Sequence, residues 1–353
     1  MSDGEKRIGF VGTGTMGQCA HLVNYTDLPG CKVVALAEIR PQLAEKVAAR
    51  YNVPNVYRSH EEMLAHEQLD GIVAAQPYSR HGQLLPDLYA TGIPLLTEKP
   101  LGRSVEVGET LLESLAASKG KHYVGYHKRS DPATIYVVKE IERLLETEEL
   151  GKLRYVRVVM PPGDWTAGGF THLIRSDEHI PELEFDPPSE LFDEETYAEY
   201  DSFVNYYIHQ VNLLRLLLGQ DYSVSYADPK GQILIAHSEG GVTGTIEMAP
   251  YGTSIDWQEE ALTGFDKGFI KLELPAPVSC NRPGCATVYR DPGDGQTPEQ
   301  TKPQLPWVHA MRQQAANFIK ELNGEKTSLC QADTALKDLY IARDFIKMKH
   351  HLD

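Results

Sequence analysis

The chain has 353 residues, 41% hydrophobic and 24% charged, which suggests about two globular domains at roughly 150 residues each and excludes a largely disordered chain. Fifty acidic residues against 34 basic ones leave a net charge of −16, the wrong sign for gripping nucleic-acid phosphates or an anionic membrane surface. No apolar run reaches the roughly 18 residues of a membrane helix, no apolar signal region precedes the first strand-like segment, and five cysteines form a sparse, odd set. The expectation is a soluble cytoplasmic protein in a reducing compartment, with a small-molecule ligand.

Lys6–Val11 is a short apolar run of strand length that ends in Gly12-Thr13-Gly14-Thr15-Met16-Gly17. About ten residues of helical character and a Pro29-Gly30 turn lead to a second buried strand, Cys31–Ala37, which stops at Glu38. Pro41–Tyr51 reads as a helix, 70–75 as a strand, 80–91 as a helix stopped by Gly92, and 94–97 as a strand. A helix over 111–119 and a strand over 122–126 complete the series. Strands alternating with helices at this spacing imply right-handed crossovers and a doubly wound parallel sheet, an α/β domain of Rossmann type over residues 1–125.

In that setting the glycine pattern acquires a physical role. Among 29 glycines a Gly-x-Gly-x-x-Gly pattern is weak alone, but here it lies between a strand and a helix, with Glu38 following 21 positions (38 − 17) after the last glycine. Gly12 permits the tight turn, Gly14 lets a pyrophosphate approach the backbone, and Gly17 allows close helix–strand packing. The helix N-terminus, with Thr15 and Met16, offers N–H groups and a partial positive charge to that pyrophosphate. Glu38 is placed to accept both ribose hydroxyls and repel a 2′-phosphate, which favours NAD. Arg40, two residues on, is a rival anchor for that phosphate.

The motif Thr97-Glu98-Lys99-Pro100, with Gly12–Gly17, Ala75-Gln76-Pro77…His81 and Val124-Gly-Tyr-His127-Lys128-Arg129, resembles the glucose-fructose oxidoreductase/inositol dehydrogenase family. The resemblance covers the first 130 residues, returns at 208–219 and again around 307–347, and is not recognisable between 159 and 200. It implies an NAD(P)-binding first domain, with Gln76, Pro77, His81, Glu98 and Lys99 lining the cofactor. The second domain, 126–353, is expected to be α+β with a large open, mostly antiparallel sheet, through which the chain forms a dimer or tetramer. Substrate is expected where the domains meet, and Lys99 is expected to orient and polarise the reacting hydroxyl. A lysine at the carboxyl end of a parallel strand does project into the ligand crevice of such sheets.

Residues 203–218 read as a helix stopped by Gly219, on which Asn205, His209 and Asn212 fall within about 60° of one another, beside the apolar stripe Val204, Ile208, Val211 and Leu218. Polar side chains on an otherwise apolar helix need partners, and a polyhydroxylated ligand supplies them. In the resembled family this helix often carries Asp-x-x-x-His-x-x-Asp, with the histidine as general base. Here Asn205 and Asn212 replace both acids and His209 remains, so that Lys99 or Tyr206 is an alternative proton acceptor.

The middle of the chain holds fainter signals. Residues 153–160 form a strand, and the Pro/Gly-rich loop after it carries Asp164, Trp165 and His172, suited to stacking on a sugar face and bonding its hydroxyls. His127, Lys128, Arg129 and Arg175 are alternatives for an anionic subsite. Residues 177–199 read as an acidic, solvated excursion. Segments 232–237, 242–248 and 269–274 read as antiparallel strands, 291–306 as a surface loop, and two amphipathic helices close the chain. Cys280 and Cys285 lack a second ligand pair, so no metal is expected.

Three functions are compatible with these residues. The first is an NAD-dependent dehydrogenase of a sugar or cyclitol secondary hydroxyl, with Lys99 and His209 as catalytic residues. The second is an NAD-dependent glycosidase that oxidises its sugar transiently, and the third is a non-catalytic cofactor sensor.

Overall fold

The buried apolar runs form one sheet at the N-terminal end. The computed structural model describes residues 4–248 and 251–352. β1 (Lys6–Val11), β2 (Cys31–Ala37), β3 (Asn55–Tyr57), β4 (Gly71–Ala74), β5 (Leu95–Glu98) and β6 (His122–Gly125) are parallel neighbours in the order β3-β2-β1-β4-β5-β6, and Cys330–Gln331 pairs antiparallel to β6. The strand order reverses between β1 and β4, which defines the crevice at their carboxyl ends.

The connecting elements carry recognisable start and stop signals. After β1 a π-helical turn (Gly17–Leu22) continues into α1 (Val23–Tyr25). α2 (Pro41–Tyr51) has Pro41 in its first turn and ends on Asn52 at φ 54°, a left-handed stop. α3 (His60–His66) and α5 (Val105–Ala116) are capped by the Ser59 and Ser104 side chains, while α4 (His81–Ala90) lies between β4 and β5. The cap at Ser104 starts α5 before the expected residue 111, and the short, polar β3 and α3 had no strong periodicity to announce them.

A second sheet runs β14-β13-β12-β11-β7-β10-β9-β8. Its strands are β7 (Leu153–Val159), β8 (Tyr222–Ala227), β9 (Ile233–Ser238), β10 (Thr243–Glu247), β11 (Glu259–Phe265), β12 (Gly268–Leu274), β13 (Cys285–Arg290) and β14 (Glu299–Thr301). The pairing is antiparallel except for β7 with β10, a correction to the all-antiparallel expectation for 242–248. β14 also lies inside the stretch expected to be only a surface loop. Helices α6 (Pro132–Thr147), α7 (Glu194–Leu218), α8 (Ala310–Leu322) and α9 (Ala332–Lys349) complete the chain. None of the described helices is long and apolar enough to cross a membrane.

The chain divides into two units, and not at a single cut near residue 125. The first comprises the described residues up to Tyr126 with 168–197 and 311–339, and the second 127–167, 198–310 and the residues from Tyr340. α8 accounts for part of this: Phe318 and Ile319 pack into one core with Ile8, Phe10, Leu36, Leu43 and Tyr123. In the second unit Val156, Val158, Leu214, Leu234 and Ile246 are fully buried, and Phe203 stacks on Phe345 with centroids 4.8 Å apart.

The stretch expected to be a solvated excursion is instead bound to the first unit. Gln18 exchanges side-chain hydrogen bonds with the backbone of Ile174, and Arg80 donates to the Glu184 carbonyl. Asp186, only 2% exposed, donates its N–H to the Ser79 carbonyl and accepts from Gly82 N at 2.8 Å and Gln83 Nε2 at 3.2 Å, while Arg103 donates to its carbonyl. Acidic composition suggested solvation, but a carboxylate meeting the N-terminal turn of α4 is stabilised there. Replacing Asp186 with Ala removes charge-assisted hydrogen bonds of about 1.5–3 kcal/mol each. Limited proteolysis should then cut within 174–190 about tenfold faster than in the wild type.

Candidate functional site

The turn after β1 is shaped by what cannot fit in it. Gly12 has φ +92°, and a Cβ there would lie 2.5 Å from Gln76 Nε2 and 2.8 Å from the Ala75 carbonyl. A Cβ on Gly17 would lie 2.5 Å from the Gly12 carbonyl, whereas one on Gly14 would meet nothing within 4 Å. Gly12 and Gly17 therefore close the turn against β4, and Gly14 presents bare backbone outward at the switch point, as a pyrophosphate requires. Thr15 and Met16 follow at the start of the helix, and Gln76 and Pro77 follow β4 at the same edge. The residues present thus fit a dinucleotide.

Glu38 is 4% exposed and densely bonded. Oε2 accepts from Thr13 N (2.9 Å), Thr13 Oγ1 (3.0 Å) and Arg40 Nη2 (3.0 Å), and Oε1 from Arg40 Nε (2.7 Å) and Arg40 N (3.2 Å). Burial acts to raise its pKa, but the hydrogen bonds from Arg40 and Thr13 bring it below the ordinary carboxylate value. Arg40 is therefore clamped on Glu38 rather than held as a separate anion anchor.

At the end of β5, Glu98 is buried. Its Oε1 lies 2.6 Å from His21 Nε2, and its Oε2 accepts the Lys99 backbone N–H at 3.3 Å. Burial acts to raise the Glu98 pKa, and His21 and Lys99 outweigh it. His21 comes from the π-helical turn, so a wide turn directly after the glycines meets the strand that carries Lys99. Lys99 is half-buried at the carboxyl edge of the sheet. His81 is fully buried, donates Nδ1–H to the Leu101 carbonyl at 3.0 Å, and is kept neutral by burial.

In the second unit the polar stripe of α7 is graded: Asn205 exposed, His209 half-buried, Asn212 buried. The rings of His209 and His127 meet edge to face at 4.7 Å, and Arg129 Nη1 donates to Asn212 Oδ1 at 3.3 Å. Tyr206 Oη accepts from Gly163 N at 3.3 Å. Lys128 belongs to no exposed anionic subsite, because it is buried in an ion pair with Glu259. Gln210 Nε2 (2.8 Å) and Trp257 Nε1 (3.2 Å) donate to the same carboxylate. Asp131, which caps α6 and also accepts from Gly284 N, has its carboxyl pushed up to about 6 by burial.

The loop candidates separate. Asp164 accepts from Thr166 and Ala167 of its own loop, and Trp165 is 36% exposed. Asp164 lines a cavity of about 570 Å³ with Arg157, Trp257, Glu259, Glu260 and Arg282. His172 and Arg175 are exposed and belong to the first unit instead. Glu259, Gln210, Trp257, His21 and Thr13 were missed. The inward positions of the alternating segment 259–265 were the available sign for Glu259, since a charge there must be paired.

Among the described residues one group of three possible metal ligands, His60, Glu61 and Asp87, comes close together. The His60 imidazole faces Glu61 through Nδ1 and Asp87 through Nε2, both at 3.3 Å. The geometry is that of a surface ion-pair bridge.

The Lys128–Glu259 pair generates a stability prediction. Lys128→Met leaves a buried carboxylate without its cation and should cost about 3–5 kcal/mol by urea unfolding, whereas Lys128→Met/Glu259→Leu should recover most of the loss.

Residues 6–126 match the family model described as an oxidoreductase family with an NAD-binding Rossmann fold. The chain is 25% identical over 266 residues to the NAD(+)-dependent scyllo-inositol 2-dehydrogenase of Bacillus subtilis (strain 168), covering 70% of this chain and 69% of the relative. Among solved structures, apo scyllo-inositol dehydrogenase from Lactobacillus casei superposes with a TM-score of 0.68 at 17% identity, covering 99% of this chain and 97% of that one. An oxidoreductase of Desulfitobacterium hafniense, provisionally described as NADPH-dependent, superposes with a TM-score of 0.76 at 15% identity, covering 99% and 97%. With the Rossmann sheet and its glycine cradle, these matches assign residues 6–126 to the oxidoreductase family with an NAD-binding Rossmann fold, and the chain as a whole shares the two-sheet fold of the superposed structures.

Proposed function

We propose that the protein is an NAD-dependent dehydrogenase that oxidises a secondary hydroxyl of a cyclitol or sugar. The observation that carries this reading is the placement of the Gly12–Gly17 cradle and Lys99 on one edge of the same parallel sheet, at the carboxyl ends of β1 and β5. The inositol dehydrogenase relative supports the substrate class.

Bound NAD+ supplies the hydride acceptor for the carbinol carbon. Gly14 and the first helical turn would hold the pyrophosphate through backbone N–H groups, and Glu38 would accept from the adenosine ribose. Lys99 donates a hydrogen bond to the reacting oxygen and polarises it, while Glu98, fixed by His21, holds the Lys99 backbone. His209 takes the hydroxyl proton through a ring nitrogen, and the imidazole is oriented by the edge of His127. Arg129 and Asn212, already bonded to each other, offer donors and an acceptor to neighbouring hydroxyls. No observation favours a glycosidase over this reading.

The open face of the second sheet presents the half-buried Tyr155, Leu262, Phe269 and Tyr289 among the ion-paired Arg157, Glu260 and Lys271, a mixed surface offered to a second copy of the chain. Light scattering should report a dimer or larger assembly, and a monomer at micromolar concentration would refute this.

A screen of cyclitols and sugars by NADH absorbance tests the activity. Lys99→Ala should keep dinucleotide affinity and reduce turnover about a hundredfold or more. His209→Asn should abolish the rise of rate with pH through the neutral range that a histidine base produces. Retention of both rate and profile by either variant would remove that residue from the mechanism.

A further inference from the structure

The cofactor reading leaves open what excludes the 2′-phosphate of NADP, and the adenosine end of the crevice holds an unexpected participant. Glu38 ends β2, Arg40 is the N-cap of α2, and Pro41 occupies the first helical position. Pro41 has no N–H, and Ala44 N already bonds the Arg40 carbonyl, so Gln42 and Leu43 supply the backbone donors left at this helix end. Both are taken by one remote side chain: Glu178 Oε1 accepts from Gln42 N at 3.0 Å, and Oε2 from Leu43 N at 2.9 Å. Ser176 Oγ donates to Oε2 at 2.6 Å and fixes the carboxylate's orientation.

Glu178 is not a loose surface acid. It lies on the segment bound to the same unit by Gln18 at Ile174 on one side and by Asp186 at α4 on the other. Arg40, the remaining cation of the turn, is engaged by Glu38. An anion arriving beyond the ribose 2′-oxygen would therefore meet two carboxylates, a guanidinium already neutralised, and a helix end whose donors are occupied, with Lys46 of α2 near enough to Glu178 to favour its charged form.

We propose that Glu178 is a specificity-determining residue for the dinucleotide: it occupies the α2 N-terminus as an internal anion and so denies that position to the 2′-phosphate of NADP. The inference rests on the cofactor reading above and assigns to residue 178 a share of the discrimination that sequence position alone gives to Glu38. Removing it uncovers two N–H groups and the positive end of the helix dipole, and deletes a like charge. NAD, which has no 2′-phosphate, gains nothing from the change.

The test is a fluorescence titration of the full chain with NADH and NADPH, in wild type, Glu178→Ala and Glu178→Gln. For Glu178→Ala, NADPH should bind at least about tenfold tighter while NADH stays within about threefold. Glu178→Gln keeps one acceptor for the helix end and removes the charge, so it should move NADPH in the same direction by a smaller factor. It keeps the test informative should the alanine variant fail to fold. An unchanged NADPH/NADH ratio in both variants overturns the inference. So does an equal change for both dinucleotides, which would mark Glu178 as a tether of its segment. Wild-type protein that binds neither dinucleotide would overturn the cofactor reading, and the inference with it.

Discussion

The approach of Gly17 to the carbonyl of Gly12 is the constraint from which the first unit's function follows. With 2.5 Å between that oxygen and any added Cβ, the helix after β1 can start only where no side chain intervenes. This forces the turn between them to expose backbone at Gly14, and it places Thr13 where its N–H and hydroxyl both reach Glu38. The cradle and the Glu38 carboxylate are thus one mechanical unit. The π-helical turn that follows extends it by bringing His21 to Glu98, the residue before Lys99.

Three buried carboxylates of this protein are held in pairs, and the pairs organise the elements around them. Glu38 with Arg40, Glu98 with His21 and Glu259 with Lys128 each bury a carboxylate against a basic partner and add hydrogen bonds from neutral groups. Without a directly bonded cation a carboxylate at such depth shifts toward its neutral form, and Asp131 shows this tendency: two backbone N–H groups hold it, yet burial pushes its carboxyl up to about 6. In the second unit the Lys128–Glu259 pair ties the segment after β6 to β11, and the flanking His127 and Arg129 are thereby fixed toward α7. Desolvation makes the pair poor stabilisation, but it sets the direction of its neighbours.

The acidic segment between β7 and α7 follows the same physics at helix ends. Its carboxylates meet helix N-termini, Asp186 at α4 and Glu178 at α2, where unsatisfied N–H groups and the helix dipole favour negative charge. A net charge of −16 is therefore not spread uniformly over solvent, since part of it completes the helices of the Rossmann sheet.

What was legible in the sequence was whatever depends on local chemistry. The buried runs of β1, β2, β4, β5 and β6, the glycine spacing, Glu38 at the end of β2, and the Glu98-Lys99-Pro100 motif are short-range patterns, and each settled a class of structure before any contact was known. The helix stop at Gly219 and the polar stripe on α7 were likewise periodic features. Tertiary structure alone decided which charges meet. Arg40 was equally suited to a phosphate and to Glu38, and Lys128 to a substrate anion and to Glu259. The residues 177–199 were equally acidic in solvent or on a helix end. Side chains 131 residues apart, as Lys128 and Glu259 are, leave no periodic trace of their pairing, because the energy that selects it comes from desolvation in the folded core.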